Sequence, residues 1–222
     1  MSQMFNDRRE AGRLLAAEVK AAVGPCDAVV LALPRGGVPV AYEVALALGA
    51  PLDVLVVRKL GVPGHEELAF GSIASGGVTF INESVVRPLR LPQQMLAAVI
   101  ERERRELERR QRLFRGDTPM PNLKGKTVIL VDDGLATGAT MRAAVNSVRQ
   151  LHPQRIVVAV PVCAPDAPSQ FSDVDTWCIC LTAPQQFYAV GFWYRDFEQT
   201  TDEEVRDLLA KARTRAATAA TV

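Results

Sequence analysis

The fold is decided by the stretch VILVDDGLATGAT, which occupies residues 128–140. Its first four residues are apolar and largely β-branched, which is typical of a strand that is covered on both faces of a parallel sheet. Two acids, Asp132 and Asp133, come next, and a loop of small residues then leads into a helical segment, Thr140 to Leu151. Open α/β sheets bind their ligands where strands end in this way, so the stretch predicts a site.

The small-residue loop predicts binding of a phosphate. The loop amides and the unpaired N–H groups of the following helix are expected to point into one concavity. Gly138 allows close approach of the backbone, and the hydroxyls of Thr137 and Thr140 add donors. The predicted phosphate-binding residues are therefore Ala136, Thr137, Gly138, Ala139 and Thr140.

The two acids favour a different part of the same ligand. A second phosphate would be repelled there, whereas hydroxyl groups or a metal ion would be attracted. A ribose 5-phosphate satisfies both halves, with its phosphate in the loop and its diol on Asp132 and Asp133. The alternative is that Asp133 and Gly134 only form a turn and Thr140 caps a helix. This alternative leaves two adjacent acids after a wholly apolar strand unexplained.

Strands and helices alternate along the rest of the chain. Apolar runs predict strands at 28–33, 52–57, 127–131, 155–161 and 175–180, and helical spacing predicts helices at 8–23, 38–48, 92–115, 140–151 and 202–213. A strand, a helix and a second strand at such spacing form a right-handed βαβ unit. We therefore predict an α/β fold in which helices flank a central parallel sheet. The size of the chain predicts a single domain over 1–222.

Composition argues against several classes of protein. The chain has 26 Lys plus Arg against 25 Asp plus Glu, so no overall field attracts nucleic acid or a membrane surface. No apolar run approaches the roughly 20 residues that span a bilayer, so we expect a cytoplasmic protein. The spacing of the four cysteines and two histidines does not match a metal site. We therefore expect the cysteines to be ordinary buried thiols. The alternative is that Cys178 and Cys180 form a redox pair.

A charged run, ERERRELERRQR at residues 101–112, lies in the predicted helix 92–115. Its acids alternate with its bases and form pairs at i,i+4 spacing. This pattern favours a solvated or subunit-contacting face over binding of nucleic acid. We expect a homodimer or a larger homo-oligomer.

The stretch at 128–140 resembles the signature of the type I phosphoribosyltransferases, an apolar strand, two acids and then T-G-x-T. The resemblance implies a central parallel sheet with flanking helices and a small hood. It also implies that the ligand is phosphoribosyl pyrophosphate (PRPP) with Mg²⁺, and that the acceptor is a nitrogenous base. Asp132 would reach the metal through PRPP-bound Mg²⁺.

The resemblance further implies a cradle for the leaving pyrophosphate. Pro34-Arg35-Gly36-Gly37 fits, because the glycines expose amides and Arg35 can grip a diphosphate with paired donors. An ordinary turn is the alternative. Arg58 and Lys59 open a glycine-punctuated, irregular segment at 58–81, which the family uses as a flexible lid. Within it, 70–74 and 78–81 could pair as a hairpin.

The sequence does not decide which branch of the family, and so which acceptor base, this chain resembles most. The lid sequence RKLGVPG at 58–64 resembles the adenine branch. However, Ala69 stands where that branch has a glutamate. Glu66 or Glu67 could replace this glutamate only if the register of the loop shifts. Ala136 replaces an acid of the hypoxanthine and guanine branch. The aromatic-rich part of 181–200 is a candidate hood in which Phe192 or Trp193 stacks on a purine-like ring, unless these rings belong to the core.

By resemblance, the expected reaction loosens the bond to pyrophosphate first and leaves positive charge on the ribose. Asp132 and Asp133 would stabilise that charge, while Arg35, Lys59 and Mg²⁺ would offset the charge on the diphosphate. A rival interpretation is a non-catalytic protein of the same fold that senses PRPP or nucleotides. Such a protein would tolerate loss of Arg35, Arg58 and Lys59, all of which are present. Residues 214–222 are expected to form a disordered tail.

Overall fold

A computed structural model describes residues 4–219 of the chain. The strands are β1 (Ala28–Ala32), β2 (Leu52–Val54), β3 (Val57–Val62), β4 (His65–Ala74), β5 (Val78–Ile81), β6 (Thr127–Val131), β7 (Arg155–Val162) and β8 (Thr176–Thr182). The helices are α1 (Arg8–Val23), α2 (Gly37–Leu48), α3 (Glu83–Leu89), α4 (Gln93–Arg115), α5 (Ala139–Arg149) and α6 (Asp202–Ala219). Two short 3₁₀ turns cover Pro168–Phe171 and Val190–Trp193.

The predicted parallel sheet is confirmed. It has five strands in the order β2-β1-β6-β7-β8, and each neighbouring pair is parallel. All residues of β1 and β6 are buried, as their apolar runs require when helices cover both faces. The second strand is shorter than predicted, because the chain turns after Leu55, whose amide still donates to the carbonyl of Ala32 (2.9 Å), and leads through Val56 into β3.

Alternate residues of the central strands supply two separate cores. Val30, Ala32 and Val131 face a core that contains the buried sides of α1, α2 and α6. Val29 and Leu130 face the opposite core, which is covered by α5. Since side chains alternate along a strand, one continuous apolar run fills both cores.

The segment at 58–81 is regular, and the prediction of an irregular segment is wrong. Its strands form an antiparallel sheet in the order β3-β4-β5. The predicted hairpin is confirmed, with Gly71 opposite Ile81 and Ala74 opposite Val78. Regular pairing is possible in spite of the glycines because Pro63 and Gly64 form the β3–β4 turn, and Gly61 lies at a shift of register that accommodates a bulge.

One helix was not predicted, and another extends further than predicted. Helix α3, which the sequence pattern did not predict, follows β5 and has no buried residue. Helix α6 begins after Thr201, whose hydroxyl accepts from the amide of Glu204, and it continues to Ala219. The predicted tail therefore starts inside a helix, because alanine-rich sequence favours helical backbone. Residues 220–222 of that tail lie outside the described residues.

The strand order creates a crevice at one edge of the sheet. From β1 the chain passes through α2 to β2 on one side, and it later returns as β6 on the other side of β1. Ala32 and Val131 are paired at the carboxyl ends of β1 and β6. The segments that follow these two residues diverge from a topological switch point, which is where open α/β sheets bind ligands.

Candidate active site

The loops after β1 and β6 lie directly against each other. A Cβ atom placed on Gly36 would come within 2.0 Å of Oδ2 of Asp133, and one on Gly37 would come within 2.6 Å of the carbonyl oxygen of Val131. Both positions therefore require glycine. The fold therefore brings the loop predicted to bind pyrophosphate next to the two acids predicted to bind the ribose diol, although about a hundred residues separate them in the sequence.

The loop after β1 offers fewer free amides than its two glycines suggest. The Gly37 amide donates to the carbonyl of Leu33 (3.1 Å). Among the hydrogen bonds of residues 4–219, none uses the amide of Arg35 or Gly36 as donor. The half-buried side chain of Arg35 approaches Asp202 at 3.6 Å. An anion in this loop would meet two amides and one guanidinium.

The loop after β6 has the features of a phosphate cradle. Gly138 adopts a left-handed conformation (φ 68°) immediately before α5, and Ala136 and Thr137 are exposed. Within the described part of the chain, no hydrogen bond takes the amides of residues 136–138 or Thr140 as donor. These amides and the N-terminus of α5 can together bind an anion.

Arg142 shapes this loop, and nothing in the sequence indicated its role. Its guanidinium donates to the carbonyl of Thr137 (2.9 Å) and also contacts the side chain of Gln170. A Cβ on Gly138 would lie 3.1 Å from Oε1 of Gln170. Arg142 thus binds one loop carbonyl and adds positive charge near the cradle.

The two acids differ in their surroundings. Burial, and then the neighbouring charge of Asp133, raises the pKa of Asp132 well above its ordinary value. Oδ1 of Asp132 accepts the amide of Asp133 (2.9 Å). Burial also raises the pKa of Asp133, while Arg8 opposes that shift. Ligand hydroxyls or a cation would stabilise the negative charge of these two adjacent carboxylates.

Arg8, at the first turn of α1, is a functional candidate that sequence reasoning missed. Its Nε donates to Oδ2 of Asp133 (2.8 Å), and its Nη1 donates to the carbonyl of Glu198 (2.7 Å). The guanidinium also lies 3.9 Å from the ring centre of Phe197. Tyr194 donates its hydroxyl proton to the main-chain oxygen of Asp133 (2.6 Å). Two segments that are far from Asp133 in the sequence therefore hold it, and no local pattern could reveal this.

A cavity of about 520 Å³ opens beside these loops. We call it the arginine cavity, since its walls include Arg8, Arg35, Arg109 and Arg110, together with Gly36 and Asp133. Its size suits a small phosphorylated ligand, and its four guanidinium groups favour an anion.

The lid residues lie apart from this cavity. Arg58 is paired with Glu103 of α4, with Nε to Oε2 at 2.8 Å, and so faces a carboxylate that is itself buried. Lys59 is exposed and lines a smaller cavity of about 250 Å³ together with Ala139 and Arg142. The structure thus brings Arg35 to the two acids, whereas Arg58 pairs with Glu103 and Lys59 lies beside the phosphate loop. Glu66 and Glu67 are exposed near the β3–β4 turn.

The two predicted stacking residues have different environments. Phe192 is 66% exposed, and its ring lies 5.6 Å from that of Tyr188. Trp193 packs against a small core with Phe5 and Tyr194, and its indole nitrogen is buried without a partner among the described residues. Val190 packs against Gly134, where an added Cβ would come within 2.5 Å. The 3₁₀ turn therefore lies over the start of the phosphate loop.

A family profile described as "Phosphoribosyl transferase domain" matches residues 7–194. The chain belongs to this family. The matched region contains both loops and both acids, and the resemblance seen in the sequence is confirmed.

Known relatives agree with this assignment. A protein of Mycobacterium tuberculosis, named provisionally as a phosphoribosyl transferase, is 46% identical over 210 residues, which are 95% of this chain and 47% of that protein. The chain thus spans about half the length of that curated relative. The crystal structure of TT1426 from Thermus thermophilus is 44% identical, covers 94% of this chain and 99% of that one, and has a TM-score of 0.85.

A more distant structure shows the same fold. It is a Neisseria gonorrhoeae protein with bound ppGpp, 16% identical with a TM-score of 0.51, and the match covers 96% of this chain and 99% of that one.

Among the helices of residues 4–219, none is both long enough and apolar enough to cross a bilayer. The same residues contain no cluster of three or more histidine, cysteine, aspartate or glutamate side chains suited to a metal ion.

Proposed function

We propose that this chain transfers the 5-phosphoribosyl group of PRPP to a nitrogenous base and releases pyrophosphate. The observation that carries this proposal is the contact between two loops at the switch point of the sheet. Gly36 of one loop touches the carboxylate of Asp133 in the other. A ribose on the acids would then have its phosphate toward the loop at 136–140 and its anomeric carbon toward Arg35.

The side chains of this site can each assist that reaction. Asp132 and Asp133 accept hydrogen bonds from the ribose diol and stabilise positive charge that develops on the sugar. The amides of Arg35 and Gly36 and the Arg35 guanidinium bind the departing diphosphate. The cradle at 136–140 holds the 5-phosphate and fixes the position of the ribose. Lys59 is still predicted to be a catalytic group. Motion of the antiparallel sheet would have to bring it closer to the diphosphate.

Mg²⁺ fits the donors of this site. Mg²⁺ is commonly bound through one or two carboxylates together with substrate phosphates and water. Asp132 offers a half-buried carboxylate whose pKa is raised by desolvation and by the charge of Asp133, so a cation beside it would stabilise its charged form. When bound, the ion would neutralise charge on the diphosphate.

For the acceptor we favour a purine-like base. The exposed pair of Tyr188 and Phe192 offers an aromatic surface at the 3₁₀ turn above Gly134, and flat rings stack well on such surfaces. We also expect a homo-oligomer and a cytoplasmic location, as the sequence predicts.

The decisive assay follows pyrophosphate release. The protein is incubated with PRPP, Mg²⁺ and a panel of purine and pyrimidine bases, and release above the base-free control is expected with at least one purine. Calorimetric titration with PRPP runs in parallel. Absence of both PRPP binding and release would overturn the proposal.

A sensor of PRPP or nucleotides is the second candidate. It is favoured by the pairing of Arg58 with Glu103, which removes one of the predicted lid cations from the site. Tight binding of PRPP without release of pyrophosphate with any base would support the sensor and exclude the transferase.

A further inference from the structure

Helix α4 forms one wall of the arginine cavity. Arg109, Arg110, Leu113 and Phe114 lie on successive turns of this helix and face the cavity, while Arg35 and Gly36 line it from the loop after β1. The sequence pattern had favoured a solvated or subunit-contacting face for this charged run. Two of its arginines instead share a cavity with the predicted pyrophosphate loop.

The wall that carries these arginines is firmly positioned. Leu107 and Phe114 of α4 are buried in the larger core. The Arg58–Glu103 pair joins the helix to β3, and Arg115 is buried at its end, where it pairs with Asp53 (3.3 Å) and donates to the carbonyl of Val54 (2.7 Å). Arg109 and Arg110 therefore project from a helix fixed at both sides, and less ordering is needed when they bind a ligand.

The local charges leave both guanidinium groups with unused donors. Glu106 accepts from Nε of Arg109 (2.8 Å) and from Nε of Arg110 (2.9 Å), and also from Nη2 of Arg109. One carboxylate thus serves two arginines, each of which has five N–H donors. Asp202, across the cavity, pairs with Arg35 and attracts Arg109. Four arginines face the two lining acids, Asp133 and Asp202, and Glu106 offsets one further charge, so these groups keep a net positive charge that favours an anion.

We propose that Arg109 and Arg110 bind the diphosphate group of the donor substrate, which is the role that the sequence pattern predicts for Arg58. The inference rests on the proposed function only for the identity of the donor. Arg58 is engaged with Glu103, whereas the arginines of α4 share a cavity with Arg35, Gly36 and Asp133. Paired donors from two arginines match the oxygens of a diphosphate.

Inorganic pyrophosphate is the direct probe, and calorimetry gives its affinity for the whole chain. Arg109→Gln and Arg110→Gln, made together, are expected to weaken pyrophosphate binding by about ten- to a hundredfold. Arg105→Gln is the matched control. Arg105 lies on the same helix, donates from Nε to Glu101 at i,i+4 spacing (3.1 Å) as Arg110 does to Glu106, and does not line the cavity. This control should bind pyrophosphate as the unaltered protein does.

A second variant removes the other explanation for a loss. Without its arginines, Glu106 would be an unpaired carboxylate that repels the anion. Glu106→Gln is therefore added to the double variant, and the loss should persist. Recovery of full affinity in this triple variant, or an equal loss in the Arg105→Gln control, would overturn the inference.

Ligand comparison separates this inference from the proposed function. Ribose 5-phosphate lacks the diphosphate, so its affinity should change little in the double variant, while PRPP affinity should fall. If PRPP does not bind but pyrophosphate binding depends on Arg109 and Arg110, the α4 site stands and the transferase assignment fails. If PRPP binds equally well to the double variant and the unaltered protein, only the α4 inference fails. Failure of the unaltered protein to bind pyrophosphate would overturn the α4 site.

Discussion

Asp133 is held through both its side chain and its backbone. Its carboxylate accepts from Arg8 and touches Gly36, while its carbonyl accepts from Tyr194. Because the bond from Tyr194 uses the main chain, a change of the side chain leaves that support in place. The carboxylate can therefore be tested separately from the fold around it.

Asp133→Asn should lower kcat by roughly a hundredfold, since the site loses the negative charge that stabilises a developing cation on the ribose. The thermal unfolding midpoint should fall by only a few degrees, because an amide oxygen at this position can still accept from Arg8. Asp27→Asn is the control, because Asp27 is an exposed acid whose partner is Lys126. Turnover of the Asp133→Asn variant equal to that of the control would contradict a role for the carboxylate. The measurement is pyrophosphate release under saturating substrates.

Arg8→Met should reduce both stability and sugar binding. The side chains of Arg8 and Asp133 are only 12% and 16% exposed. Loss of one partner leaves a poorly solvated charge, and we expect a loss of about 1–3 kcal/mol in the free energy of unfolding. Affinity for ribose 5-phosphate should fall as well, because the carboxylate loses the group that orients it.

Urea denaturation and calorimetry measure the two effects of this change. Arg9→Met is the matched control, since Arg9 is the next residue and is exposed. Equal stability of the two variants would show that the Arg8–Asp133 pair contributes nothing to folding.

At the level of secondary structure, Arg58 joins strand β3 to helix α4. Arg58→Ala should cost about 1–2 kcal/mol of stability, because buried Glu103 loses one of its partners. The loss is limited, since Arg102 still donates to Glu103 (3.0 Å). Pyrophosphate affinity should not change, whereas the sequence hypothesis for Arg58 predicts a selective loss.

A double-mutant cycle in urea tests the anchoring role of this pair. Addition of Glu103→Ala to Arg58→Ala removes the buried carboxylate, so the two losses should be less than additive. Strict additivity would mean that the pair does not connect β3 to α4.

The strands of the central sheet were predictable because each is an apolar run of characteristic length. Residues 127–131 are predicted and observed as one strand. Of the antiparallel sheet only the hairpin of 70–74 with 78–81 was predicted, since glycines at 61, 64 and 71 suggested an irregular loop. In the fold, these glycines instead allow a bulge, a tight turn and close approach of β5, where a Cβ on Gly71 would lie 2.2 Å from the carbonyl of Phe80.

The candidate site was predictable only where its chemistry is local. Asp132, Asp133 and the loop at 136–140 form one continuous motif, and Arg35 lies beside two glycines. Arg8 and Arg110, by contrast, belong to ordinary charged helices. Their roles depend on how α1 and α4 pack against the sheet, and the pattern of either helix alone does not contain that information.

At the level of the whole molecule, the start of the described chain is joined beside the site to the segment that precedes α6. Phe5 is fully buried, its ring lies 5.5 Å from that of Tyr194, and its amide donates to the carbonyl of Trp193 (2.8 Å). Phe5→Ala should therefore cost about 3–5 kcal/mol. Hydrogen exchange should quicken most at Tyr194 and at the loop that begins with Asp133.

Phe70→Ala is the control for this prediction, because Phe70 is equally buried but belongs to the antiparallel sheet. It should lower stability by a similar amount without selective exchange at Tyr194. Uniform loss of protection in the Phe5→Ala variant would show that this junction does not open independently of the central sheet.

The parallel bridge between Phe5 and Tyr194 affects the order of events during synthesis. Domains fold as the chain emerges, with earlier segments available first. Arg8 and Asp133 leave the ribosome well before Tyr194 and Phe197, which complete their surroundings. A polypeptide of the first 190 residues contains every strand of the central sheet but still lacks the aromatic support of its acids. Competence for ligands would thus be acquired only after Tyr194 and Phe197 have emerged.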